Sequence, residues 1–164
     1  VAIYIPEAMT CAGSSPAIAE APSVLADGVA TTGLITYAQT LPVWLATPKA
    51  DDQALAVNVA ERGIVLITGC GHMGLQALLE RAQNAFDAPV VGVVGGLHYG
   101  RADAAAVQAP IQLMQKLDPV IVALSPHDGG PAALDAFVQA FSAAYRPIRV
   151  GEVITVSQAA ALKG

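Results

Sequence analysis

Apolar residues along this chain fall into short runs that end in glycine. The richest, Ile64-Val65-Leu66-Ile67-Thr68, leads into Gly69-Cys70-Gly71-His72-Met73-Gly74. Residues 75–86 follow, with Leu75, Leu78, Leu79 and Ala82 on one helical face. That order predicts a buried strand, a tight turn and a helix. The plan recurs twice: residues 90–94 end in Gly95-Gly96-Leu97-His98, and residues 120–124 end in Ser125-Pro126-His127-Asp128-Gly129-Gly130. Residues 102–117 and 131–144 read as helices. Pro110 starts a second helix or kinks the first, and Pro131 suits a first turn.

Upstream, the pattern is one of hairpins. Residues 1–5 predict a strand stopped by Pro6, and 10–22, rich in Ser, Ala, Gly and Pro, a loop with one helical turn. Strand-like pieces follow at 24–25, 29–32, 34–37 and 43–45, with a turn at Asp27-Gly28. Residues 54–59 alternate and join the strand at Ile64 through Ala60-Glu61-Arg62-Gly63, which makes a hairpin. The strand entering the central loop therefore has an antiparallel neighbour, and the sheet is mixed. Residues 148–156 predict a last strand or pair of strands around Gly151, and 157–164 a tail. The expected class is α/β, a mixed sheet with helices in a single domain, 1–164.

Composition changes this picture in one respect. Hydrophobic residues make up 54% of the chain and charged residues only 13%, against about 25% charged in ordinary soluble domains. Such a chain predicts a surface that another subunit or another part of the polypeptide covers. No apolar run approaches the roughly 18 residues of a membrane span. The net charge of -5, with no cluster of Lys or Arg, argues against nucleic acid. Cys11 and Cys70 form no CxxC pair, so no disulfide framework is expected and a reduced, cytoplasmic setting follows. The opening run is broken by Pro6-Glu7 without basic residues before it, unlike a secretory signal.

The candidate chemistry lies in the loops. All three histidines, His72, His98 and His127, stand just past the carboxyl end of an apolar strand. Parallel strands place such ends on one edge, where open α/β sheets bind ligands. Neighbouring strands lie about 4.8 Å apart, so side chains from adjacent loops can meet around one ion. Cys70, and Asp51, Asp52 and Asp128 near strand ends, add thiolate and carboxylate donors that with imidazole suit Zn, Fe or Mn. Trp44 reads as a packing or pocket-wall residue. The central loop also satisfies G-x-G-x-x-G through Gly69, Gly71 and Gly74, a nucleotide-binding pattern in which pyrophosphate approaches a helix amino terminus. The acidic residue that should grip the ribose is missing from the end of the next strand, and the hairpin is foreign to a first Rossmann strand. The three histidines, 26 and 29 residues apart, form no compact metal motif, and the metal reading gains its weight from a resemblance.

The segments DDQALAVN at 51–58, GIVLITGCGHMGLQ at 63–76, VVGVVGGLHYG at 90–100 and LSPHDGG at 124–130 resemble the carboxyl-terminal half of the metallo-β-lactamase fold. Within it they are most similar to the branch of dihydropterin ribofuranosylaminobenzene phosphate synthase-like proteins. The match runs in order over about residues 28–156. The resemblance implies half of an αββα sandwich, one or two divalent ions (Zn, Fe or Mn) and a small-molecule substrate with an ester, lactone or phosphoester centre. Carried over residue by residue, it implies His72 and His127 as metal ligands and His98 as a catalytic residue touching substrate or metal. Cys70 stands for the family's bridging Asp or Cys. The sequence departs from the branch at Tyr99, where Leu is usual, and at Asp128-Gly129, where Cys-Thr is usual, and both bear on substrate identity. The superfamily motif H-x-H-x-D-H is absent from these residues. The resemblance therefore implies that a missing amino-terminal half, or another subunit, supplies it. The competing class is a non-catalytic scaffold or dimerising domain with remnant histidines.

Overall fold

The computed structural model describes residues 3–5, 16–35, 52–127 and 129–156. The predicted strand at 43–45 with Trp44, the tail at 157–164, Cys11, Asp51 and Asp128 lie outside the described residues, as do parts of the predicted 1–5, 10–22 and 34–37 elements.

Two short strands, β1 (Tyr4–Ile5) and β2 (Ala17–Ile18), pair in parallel apart from the main sheet. Part of the predicted 10–22 loop is thus extended. Among the described residues the main sheet has six strands in sequence order: β3 (Ser23–Ala26), β4 (Val29–Thr31), β5 (Ala54–Val59), β6 (Gly63–Thr68), β7 (Val90–Gly95) and β8 (Ile121–Leu124). The pairs from β3 to β6 are antiparallel, and those from β6 to β8 are parallel. The switch falls at β6, where the hairpins give way to strand and helix alternation. A parallel partner needs a crossover, and α1 (Gly74–Ala85) and α2 (Gln108–Gln115) supply the two required, with α3 (Pro131–Ala140) after β8.

All three helices cover the same face. Leu75, Leu78, Leu79 and Ala82 of α1, Ile111 and Met114 of α2, and Ala133 and Phe137 of α3 form one buried cluster with Ala56, Leu66, Val93 and Val122 of the sheet. Leu66, Val93, Met114, Val122 and Phe137 are wholly inaccessible, and each fully buried large apolar side chain contributes about 1.5–3 kcal/mol. The Arg81 guanidinium ties α1 to the first hairpin region by donating to the Thr32 carbonyl at 2.9 Å and the Glu20 carbonyl at 3.3 Å.

The other face is covered unevenly. Val65, Ile121 and Ala123 are buried there beneath Ile148, Ile154 and Val156. The cross-strand pair Leu55 and Ile67 stays 39% and 38% exposed. Leu55 and Ile67 are thus partly exposed apolar residues on this face.

Three predicted elements differ from those observed. The helix expected over 102–117 is α2 alone, preceded by turns at residues 104–107. Asp103 Oδ1 accepts the Ala106 N–H at 2.8 Å, a cap-like bond that leaves residues 102 and 103 before the turns. Pro110 is the third residue of α2, where a missing N–H leaves no intrahelical bond unmade. The helix over 131–144 ends at Ala140. The strand expected over 148–156 is irregular. Tyr145 makes a single parallel bridge to Val122, and Pro147, which has no N–H, cannot extend the ladder. Among the described residues no helix is long and apolar enough to cross a membrane.

Candidate functional site

The carboxyl ends of β6, β7 and β8 lie side by side, and their loops are locked together through the backbone. Gly96 N–H donates to the Gly69 carbonyl at 2.8 Å, and Ser125 N–H to the Gly95 carbonyl at 2.8 Å. Thr68 Oγ1 donates to the Gly96 carbonyl at 2.7 Å. Gly71 has φ of +66°, and a Cβ there would stand 2.3 Å from the Gly96 oxygen. Gly95 has φ of +121°, and a Cβ there would stand 2.2 Å from the Thr68 oxygen. Both glycines are required because the two loops touch main chain to main chain. Within the G-x-G pattern, Gly71 thus serves contact between loops.

On this edge the rings of His72 and His98 come together, with centroids 4.7 Å apart and planes tilted by 57°. His98 adopts a left-handed backbone with φ of 55°, a conformation in which histidine is over-represented among non-glycine residues. The preceding Leu97 is buried and the following Tyr99 half-buried, so the loop is pinned on both sides of an exposed imidazole.

Asp52 completes the constellation. It lies just before β5, and the hairpin register that pairs Ala54 with Thr68 brings it beside the central loop. Its Oδ2 accepts the His72 backbone N–H at 3.2 Å and lies 3.8 Å from His72 Nδ1. The second distance is too long for a hydrogen bond, so the carboxylate acts on the ring through its charge. Asp52 Oδ1 accepts the Gln53 N–H at 3.0 Å, which fixes the carboxylate in turn. The hairpin register is the signal that places Asp52 here.

His127 and Cys70 stand on the same edge without joining that group. The His127 N–H donates to Ser125 Oγ at 3.3 Å and its side chain is exposed. Cys70 is free and half-buried. Among the described residues, no three His, Cys, Asp or Glu side chains gather closely enough to hold a metal ion. His72, His98 and Asp52 are donor types that suit a divalent ion, but as they stand they do not form a set that holds one.

Tyr99 turns from the edge into the helical layer, where it stacks on Phe137 with centroids 5.8 Å apart. Burial pushes its phenol up to about 12. An unfolded tyrosine ionises near 10, so between about pH 10 and 12 the unfolded chain has lost a proton that the folded chain keeps. Stability should therefore fall as pH rises through that window, by at most about 1.4 kcal/mol per unit. Thermal melts from pH 9 to 12 should show a shallower alkaline decline in Tyr99→Phe than in the parent protein.

Comparison with known proteins agrees with this architecture. A crystal structure of a metal-dependent hydrolase of the β-lactamase superfamily superimposes with a TM-score of 0.70 at 20% identity, over 87% of this chain and 59% of that one. The chain has the metallo-β-lactamase fold. It is also similar to 7,8-dihydropterin-6-methyl-4-(β-D-ribofuranosyl)-aminobenzene-5′-phosphate synthase of Methanocaldococcus jannaschii, at 27% identity over 105 residues. That alignment takes in 63% of this chain and 35% of the synthase. No family model matches. The chain therefore spans about a third of its curated relative and somewhat over half of its structural one. In a metallo-β-lactamase fold, the uncovered Leu55 and Ile67 lie on the face of the sheet opposite its helices.

Proposed function

We propose that the complete protein is a metal-dependent hydrolase, or a related transferase, acting on a small molecule through an ester, lactone or phosphoester centre. The observation that carries this reading is the pairing of His72 with His98 beside Asp52, on the edge where three loops of a metallo-β-lactamase fold gather. His72 would hold the ion with His127 and Cys70 as further donors, and the part of the fold beyond this chain would supply the rest. Zn, Fe or Mn suits such donors. A bound divalent ion supplies a water activated at neutral pH and polarises the oxygen that gains charge. Asp52 keeps the His72 ring in one orientation by holding both its backbone and its charge environment, as carboxylates behind metal-binding histidines do. His98, exposed on a pinned loop, donates a hydrogen bond to the substrate oxygen. The chain is similar in sequence to a synthase and in fold to a metal-dependent hydrolase, and both hydrolysis and group transfer lie within the reading.

The test is metal content and turnover of the full-length protein. We expect about one or two Zn, Fe or Mn ions per chain. Cleavage of p-nitrophenyl acetate or bis-p-nitrophenyl phosphate should cease on chelation and return when metal is restored. Turnover that survives complete removal of metal sinks the reading.

A further inference from the structure

Alongside the histidine edge, α1 and α2 part to leave a groove of about 750 Å³, within the usual size of a small-molecule site. Its walls are mostly apolar, with Met73 and Leu79 on one side, Leu113 and Leu117 on the other, and Tyr99 at the end nearest the loops. Polar groups stand at its rim. The Gln76 amide donates to Glu80 Oε1 at 2.8 Å and so occupies that carboxylate, and Lys116 makes no ion pair among the described residues. A lining in which apolar side chains predominate beside Glu80 and Lys116 suits a guest with an apolar body and a polar end.

The position of the groove identifies the guest. Met73 directly follows His72 and Tyr99 directly follows His98, so consecutive residues, with Cα atoms about 3.8 Å apart, line the site and the groove in turn. A molecule whose reacting centre lies against the two imidazoles has this groove as the adjacent apolar surface. We infer that the groove between α1 and α2 receives the non-reacting acyl or aryl group of the substrate and sets specificity for it. The inference deepens the proposed function and rests on it. Binding energy from such a remote group is the ordinary means by which an enzyme selects its substrate. Tyr99 closes the inner end, with its ring held against Phe137 and its carbonyl accepting the Ala102 and Gly130 N–H groups at 3.0 and 3.1 Å.

Two measurements on the full-length, metal-loaded protein test this. In the first, sodium octanoate is titrated and the methyl resonances are followed. Saturable shifts at Leu79, Leu113 and Leu117, lost in Leu113→Trp, are expected. Shifts confined to Leu55 and Ile67 on the open sheet face, or none at all, overturn the inference. In the second, kcat/KM is compared for p-nitrophenyl octanoate and p-nitrophenyl acetate. Filling the groove with Leu113→Trp should lower the octanoate to acetate ratio about tenfold, in line with the discrimination available to apolar pockets. An unchanged ratio overturns it. Ala109→Leu, at an exposed position of α2 on the groove wall, narrows the groove without disturbing the core and should act in the same direction. If neither ester is hydrolysed, the proposed function has failed in its catalytic part and the octanoate titration alone decides whether the groove binds.

Discussion

His72→Ala is expected to lose about a hundredfold or more of the hydrolytic activity of the full-length protein, which corresponds to about 2.7 kcal/mol of transition-state stabilisation. Its metal content should fall in parallel. The physical basis is the position of the ring. Asp52 holds the His72 backbone N–H and stands 3.8 Å from its Nδ1, so the loop that carries the ring is fixed before any ion arrives, and pre-organised ligands lose least on binding. Asp52→Asn separates the two roles of the carboxylate. The amide oxygen can still accept the His72 N–H, while the amide nitrogen that replaces Oδ1 no longer accepts the Gln53 N–H, so the charge near Nδ1 disappears at the cost of one local hydrogen bond. Removing such a carboxylate typically costs about 10–100-fold in metal affinity, and that range is expected here. Isothermal titration with Zn after chelation reads both variants. If His72→Ala binds metal as tightly as the parent, its role as a ligand is lost. A folded His72→Ala with normal stability shows that the effect is local.

Much of this arrangement was legible in the sequence because its strongest signals are local. The runs ending at Thr68, Val94 and Leu124 are apolar, short and closed by glycine or proline, and all three are strands bearing a histidine just beyond their ends. Leu75, Leu78, Leu79 and Ala82 define the buried face of α1 as their spacing predicts. The mismatches arise where a distant or single-residue effect overrides periodicity. Residues 102–107 are alanine-rich and read as helix, yet the Asp103 carboxylate accepts the Ala106 N–H to close a turn, and α2 begins only at Gln108. Residues 148–156 alternate like a strand, but Pro147 denies the ladder its donor, and Ile148, Ile154 and Val156 pack as an irregular cover instead. Asp52 belongs to the site only through a hairpin register, which pattern alone does not fix to the residue. The convergence of His72 with His98 followed from strand order. The detailed orientation of their rings depends on the left-handed backbone at His98, which no spacing rule reveals.

The central loop also allows a sharp test of what its glycines are for, and the second large effect is expected there. Gly71→Ala and Gly95→Ala should each destabilise the protein by about 2–4 kcal/mol, since each adds a Cβ where backbone strain of about 1–3 kcal/mol meets a steric conflict. The conflict is with main chain, the Gly96 oxygen at 2.3 Å for Gly71 and the Thr68 oxygen at 2.2 Å for Gly95, and neither can move without parting β6 from β7. Gly69→Ala should change stability by no more than about 0.5 kcal/mol, because an added Cβ there meets nothing within 4 Å. Urea unfolding followed by circular dichroism measures all three. The contrast bears on function as well as fold. In a dinucleotide fingerprint the first glycine serves the tight turn and the second the approach of pyrophosphate, so substitution at the second would weaken nucleotide binding before it weakened folding. In the interlocked loops found here the second glycine is a packing residue. Gly71→Ala should therefore lose folding stability and the metal site together, by driving the loop of His72 away from the loop of His98. Tight binding of a dinucleotide by the parent protein, abolished in a Gly71→Ala variant of undiminished stability, would restore the nucleotide reading in its place.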